Sequence, residues 1–212
     1  MLKYELIPSE DKNSHALMVM LHGLGDSIEG YRWFPEAMGL PWMNFALVNA
    51  PDEYYGGYSW YNIAGDHAPG VIRSRKLVFD LLDDLRRQGF ATGLTTLGGF
   101  SQGCLMALDV AMRYPEKLAG VVGISGYVFE AEKSLKELST VAKKQRFLIT
   151  HGTLDPIVAF ARTRSQVQHL QASGLQIEWH EFTKAHTIEG EAEMNLIRDF
   201  VRGGYGSAST PH

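Results

Sequence analysis

Gly99-Phe100-Ser101-Gln102-Gly103 follows a short β-branched run and opens a run with helical spacing. That is the context of a nucleophile elbow, in which a tight strand-to-helix turn projects a serine hydroxyl out of a sheet and flanking glycines tolerate the close backbone approaches. Upstream, Thr92 to Leu97 ends at Gly98-Gly99, as a buried strand entering a turn should. Downstream, Cys104, Leu105, Ala107, Leu108, Ala111 and Met112 recur at helical spacing until Tyr114-Pro115 stops the run. A glycine-rich turn with an incidental serine is the competing reading, and the two flanks together decide against it.

Outward from the elbow, short apolar runs alternate with longer helical patterns, which predicts an α/β layered domain with a mostly parallel central sheet and helices on both faces. Strands are expected at Lys3 to Ile7, Ala16 to Leu21, Phe45 to Asn49, Thr92 to Leu97, Leu118 to Ile124, Arg146 to Thr150 and Leu175 to Glu181. Helices are expected at Tyr31 to Met38, Val71 to Gln88, Gln102 to Arg113, Ala159 to Ser173 and Glu189 to Val201. With 212 residues, 45% of them hydrophobic, one domain over residues 1–203 can bury a substantial core, and residues 204–212 read as a flexible tail.

The formal charge of −4 comes from well-mixed acids and bases with no basic stripe, so nucleic acid is not an expected partner. Apolar runs are far shorter than the roughly 20 residues a membrane-spanning helix needs, and Met1-Leu2-Lys3-Tyr4-Glu5 does not begin a signal peptide, so a cytoplasmic location is expected. Cys104 is the only cysteine, which excludes an internal disulfide and a cysteine-based zinc site. On the first turn of a helix it reads either as a small packing residue or as a thiol of lowered pKa.

A serine hydroxyl needs an imidazole to take its proton and a carboxylate to orient that imidazole. In an open parallel sheet such groups gather in the loops after strands, in the chain order serine, acid, histidine. Asp155 follows the strand at Arg146 to Thr150 in His151-Gly152-Thr153-Leu154-Asp155-Pro156, and is the expected acid; a role as an Asp-Pro turn or helix cap is the alternative. Glu130, Glu132 and Glu137 read as solvated surface. His186 follows the last strand and is the expected base, whereas His180 lies inside that strand. Two backbone donors are needed for the developing oxyanion: Gln102, after the nucleophile, and Leu24, in the loop that follows the strand ending at Leu21. Ser125, in Gly123-Ile124-Ser125-Gly126, lacks an elbow and reads as structural.

With these residues assembled, the chain resembles the carboxylesterase, phospholipase and acyl-protein thioesterase family of small α/β hydrolases from about Leu17 to Phe200. The matching pieces are Leu21-His22-Gly23-Leu24-Gly25-Asp26, Gly98 to Gly103, Gly123 to Gly126, His151 to Val158 and Ala185-His186. The resemblance implies Ser101 as nucleophile, Asp155 as orienting acid, His186 as base, and Leu24 and Gln102 as oxyanion donors. Cys104 and Ala185 stand where the family usually has glycine.

The aromatic loop Tyr54 to Tyr61 suggests an acyl pocket at Trp60 and Tyr61, which the resemblance strengthens, with Ile157 and Val158 as another apolar wall; packing within the domain is the alternative for these aromatics. The expected reaction is acyl transfer to water from a small or lipid-like acyl ester or thioester, with no metal or organic cofactor. A non-catalytic lipid- or partner-binding member of the fold is the competing function, and peptidase activity ranks last. An exposed apolar surface would support a homodimer. An imidazole base predicts a rate that falls as pH drops through the ordinary imidazole range of about 6 to 7; a pH–rate profile flat from about pH 5 to pH 8 would contradict it.

Overall fold

Leu17-Met18-Val19-Met20-Leu21 is apolar at every position, and a strand of that kind has to be covered on both faces. It becomes the buried strand β2 of the computed structural model, which describes residues 1–206. In chain order the elements are β1 (Tyr4–Ile7), β2 (Leu17–Leu21), α1 (Ile28–Tyr31), α2 (Phe34–Met38), β3 (Asn44–Val48), β4 (Asp52–Tyr54), β5 (Gly57–Ser59), α3 (Ala68–Arg87), β6 (Thr95–Phe100) and α4 (Gln102–Arg113). They continue with β7 (Gly120–Ile124), α5 (Ala131–Lys136), β8 (Arg146–Gly152), α6 (Phe160–Ala172), β9 (Gln176–Phe182) and α7 (Gly190–Gly203).

Among the described residues, the main sheet runs β1-β3-β2-β6-β7-β8-β9, with β1 antiparallel to β3 and the remaining pairs parallel. Alternation along β2 divides the core. Leu17, Val19 and Leu21 face one cluster with Val78 and Leu82 of α3, Leu105 of α4 and Val167 of α6. Met18 and Met20 face another with Phe34 of α2 and Ile197 and Phe200 of α7. This is the α/β layered architecture expected from the alternating pattern, in a single domain, and the fold that the resemblance to the small α/β hydrolases implies. The strand order reverses around β2, which pairs with β3 on one side and β6 on the other. Leu21 stands opposite Gly99, so the loop after β2 and the turn after β6 leave the sheet side by side, where such sheets place ligands.

Several boundaries differ from expectation for identifiable reasons. Thr92–Leu94 forms a 3₁₀ turn and β6 starts at Thr95, then continues through Gly98-Gly99 to Phe100. Those glycines answer a demand for space rather than for a turn: a Cβ on Gly98 would lie 2.8 Å from Met18 Cε and one on Gly99 2.1 Å from Gly103 O. The helix expected from Tyr31 to Met38 is two short pieces, α1 beginning earlier at Ile28 and α2 carrying Pro35 in its first turn, where a missing N–H costs nothing. Part of the aromatic loop pairs as the β4–β5 hairpin. The tail expected at residues 204–212 does not begin at Gly204, because Tyr205 is buried, its hydroxyl donates to Leu17 O at 3.0 Å, and its ring meets Trp42 edge-on at 5.1 Å. The rest of that stretch, residues 207–212, lies outside the described residues. Among the described residues no helix is long and apolar enough to cross a membrane.

Candidate active site

Ser101 sits between β6 and α4 with φ 55° and ψ −115°, a conformation that costs a non-glycine residue about 1–3 kcal/mol. The turn is held by Ser101 N–H donating to Ile124 O at 2.9 Å and by the close approach of α4 to the end of β2. A Cβ on Gly103 would lie 2.1 Å from Leu21 O. Any side chain there would push the helix off the strand and release the turn.

His186 Nε2 lies 2.8 Å from Ser101 Oγ, and His186 Nδ1 lies 2.8 Å from Asp155 Oδ2. A carboxylate only accepts, so the imidazole proton resides on Nδ1 and Nε2 is left to accept from the serine hydroxyl. Three strand-end loops thus meet in one hydrogen-bonded chain: Ser101 after β6, Asp155 after β8 and His186 after β9. The Asp155 side chain is fully buried. Burial pushes its carboxyl upward, but the Val158 N–H, the His186 imidazole and the Ile157 N–H outweigh it, and the carboxyl lies below the usual carboxylate range. The two backbone donors reach Oδ1 at 2.8 and 2.9 Å, so the turn reading of Asp155 holds together with its contact to His186. His151 braces the same loop through Nε2 and Val158 O at 3.0 Å, with its ring stacked on Trp179.

Leu24 and Gln102 line the same cavity as Ser101 and His186. Gln102 is the first residue of α4, where backbone N–H groups have no intrahelical acceptor and the helix dipole favours negative charge. Among the described residues, no protein acceptor takes the Leu24 N–H. His22 shapes this loop. Its Nε2 accepts from Ala50 N–H at 3.0 Å, so its Nδ1 carries the proton that bonds Gly23 O at 2.6 Å, and burial holds its pKa below the ordinary imidazole value.

The cavity encloses about 430 Å³. Tyr61, Ile157 and Val158 line it; Ile157 is 72% exposed and forms part of its rim. Trp60 does not line it. That indole is fully buried in the core, its Nε1–H donating to His22 O at 2.9 Å, because an indole that satisfies its one donor internally packs better inside than at a wet rim. Phe100 and Asp26, which belong to the quoted motifs without a role assigned to them, also line the cavity, as do Tyr127 and Ile63, which no sequence pattern singles out. Tyr127 does carry a signal, since it follows β7 in a strand-end loop beside Ser125-Gly126; its hydroxyl meets that of Tyr61 at 3.1 Å. The side-chain role of Gln102 is likewise visible only in three dimensions. Its Oε1 accepts Trp60 N–H at 2.9 Å and its Nε2 donates to Tyr61 O at 2.9 Å, clipping the pocket loop to the elbow.

The remaining residues singled out in the sequence lie away from this chemistry. Cys104 is buried, and burial pushes its thiol up to about 12, which makes it a packing residue and not a nucleophile. Ser125 is buried and bonded through its backbone to Thr150 O at 2.9 Å. Glu130, Glu132, Glu137 and His180 lie on the outside of the molecule, partly or fully exposed.

A serine at an elbow, hydrogen-bonded to a histidine and an aspartate at the carboxyl ends of a parallel sheet, defines the α/β serine hydrolases. The phospholipase/carboxylesterase family model matches residues 2–203. Acyl-protein thioesterase 1 of Schizosaccharomyces pombe is 30% identical over 203 residues, which cover 86% of this chain and 88% of that protein. The crystal structure of esterase PE8 superposes with a TM-score of 0.82 at 28% identity, covering 95% of this chain and 98% of that one. Acyl-protein thioesterase 2 of Zea mays shares the fold, with a TM-score of 0.80 at 23% identity over 95% of this chain and 98% of that one. The chain belongs to the phospholipase/carboxylesterase family, as its sequence motifs implied, and is a hydrolase of that kind.

The Gln102 clip has a measurable energy. Gln102→Ala leaves the buried Trp60 N–H without a partner and Tyr61 O with the Ser59 hydroxyl alone, and the urea midpoint is expected to fall by the equivalent of about 1–3 kcal/mol at unchanged m value. A midpoint equal to wild type would mean that the clip does not hold the loop.

Proposed function

We propose that the protein hydrolyses carboxylic esters or thioesters of acyl groups through a covalent acyl-enzyme on Ser101. The observation that carries this reading is the continuous chain from Ser101 Oγ through His186 to Asp155, with both links at 2.8 Å, opening into an apolar cavity.

His186 Nε2 takes the Ser101 proton as Oγ attacks the substrate carbonyl carbon. The tetrahedral oxyanion accepts hydrogen bonds from the Leu24 and Gln102 backbone N–H groups, and the positive end of α4 adds to their effect. Collapse breaks the bond to the alcohol or thiol, which leaves with the proton from His186. Water then attacks the acyl-enzyme, gives its proton to the same Nε2, and the free acid departs as Ser101 recovers its hydrogen. Asp155 keeps Nδ1 protonated throughout and stabilises the transient imidazolium. Tyr61, Tyr127, Ile157 and Val158 border the space for an acyl chain, and the acyl-protein thioesterases among the relatives make thioesters as apt a substrate as esters.

A panel of p-nitrophenyl esters and acyl thioesters of graded chain length, assayed with wild type and variants, tests the assignment. Ser101→Ala is expected to lose roughly 10⁶-fold in kcat, and Asp155→Asn about 10⁴-fold because the amide favours the wrong imidazole tautomer. Hydrolysis that persists in Ser101→Ala at the wild-type rate would sink the nucleophile assignment. A folded wild type without turnover on the whole panel would favour a non-catalytic binder.

A further inference from the structure

The loop that carries His186 is held from inside by an ion pair for which the acyl-transfer steps have no use. The Lys184 and Glu193 side chains are 2% and 0% exposed, and the Lys184 ammonium lies 2.5 and 2.7 Å from the two carboxylate oxygens. The same ammonium donates to Thr187 O at 2.7 Å, and Glu193 Oε2 also accepts the Glu189 N–H at 2.9 Å. An ammonium has three donors, and all three are engaged.

These contacts bracket the histidine. Lys184 and Thr187 are tied to each other across His186, and Glu193, in the first turn of α7, anchors both to the helix that closes the loop. On its outer side the Lys184 carbonyl accepts the Leu154 N–H at 3.2 Å, which joins the His186 loop to the residue preceding Asp155. A buried ion pair is seldom more stabilising than apolar side chains of the same volume. Apolar packing would not, however, fix the loop by direction. The cluster does so with four charge-assisted hydrogen bonds around one residue whose ring must meet partners at both of its nitrogens.

We infer that Lys184 and Glu193 are positioning residues, which hold His186 in simultaneous register with Ser101 Oγ and Asp155 Oδ2. They touch neither substrate nor reacting atoms. The inference rests on the triad reading above and extends it to a pair of residues outside the triad.

The double variant K184M/E193M tests it, since it removes both charges at similar volume and leaves no orphaned ion in the interior. Three readouts on the full chain are needed: kcat and KM on a p-nitrophenyl ester, the urea midpoint, and the low-field proton resonance of the His186 Nδ1–H bonded to Asp155. A displacement of about 1 Å can cost 10²-fold in rate, so kcat is expected to fall about 10- to 100-fold with KM within about twofold, together with a shifted or lost resonance. Glu193→Gln keeps an acceptor for Lys184 or Glu189 but leaves the Lys184 charge unbalanced, so its urea midpoint is expected to fall, while kcat of the folded fraction is expected to lie between wild type and the double variant. A double variant with wild-type kcat and an unchanged resonance would overturn the inference, as would a loss of rate proportional only to the unfolded fraction. Should the double variant fail to fold, Glu193→Gln carries the same comparison, and wild-type kcat and resonance there would overturn it equally. If wild type turns over neither esters nor thioesters, the triad reading fails, and the resonance alone still decides whether the pair holds His186 on Asp155.

Discussion

Everything at the active end of this molecule depends on one backbone constraint: Ser101 is held at φ 55° by neighbours that leave no room for relaxation. The strain of about 1–3 kcal/mol is local, while its support is distributed. β6 brings Gly99 against Gly103 O, α4 lies on the end of β2 through Gly103, and Ile124 O takes the Ser101 N–H. A side chain at either glycine would demand ångström-scale movement in a core where Leu17, Leu21, Leu97 and Leu105 are fully buried. The sheet is therefore a device for imposing an otherwise unfavourable geometry on one residue. The place of Ser101 on the wall of the cavity follows from that geometry.

A second layer of constraint sets the partners of Ser101. Asp155 is useful because it is buried and remains ionised, two conditions that oppose each other, and it meets both by accepting two backbone N–H groups and the imidazole proton. The loop of Leu24 depends likewise on an interior polar group: His22 spans from Gly23 O to Ala50 N–H, and its own carbonyl receives the Trp60 indole. The Gln102 side chain completes this frame by clipping residues 60 and 61 to the elbow. Side chains outside the chain of Ser101, His186 and Asp155 thus fix the loops that border the cavity.

Which of these features are legible in the sequence follows from their physics. Ser101, Asp155 and His186 can be located because each occupies a loop after a strand, and strands announce themselves by short apolar runs; the structure brings the three side chains into one hydrogen-bonded chain. Burial of Trp60 is not legible, since an aromatic loop reads alike whether its rings face a pocket or the core, and the deciding hydrogen bond to His22 O spans 38 residues. Tyr205 is hidden for a similar reason. One aromatic among glycines and serines looks like tail, and only its partners Leu17, Thr96 and Trp42 make it core. Gly98-Gly99 reads as a turn because sequence cannot separate glycine used for its dihedral freedom from glycine used for its small size. The Lys184–Glu193 pair is invisible in a charged stretch whose other members, such as Glu189 and Glu191, are exposed.

If the strained Ser101 is the activated nucleophile, it should react with a fluorophosphonate whatever the acyl group of the natural substrate. Covalent labelling followed by peptide mapping of the adduct is therefore the most direct measurement. The expected result is one phosphonyl group per chain, on the peptide containing Ser101, and none on Ser125, whose buried hydroxyl has no hydrogen-bond partner among the described residues to activate it. A folded protein that takes up no label, or takes it up on any other residue, would contradict the assignment of Ser101.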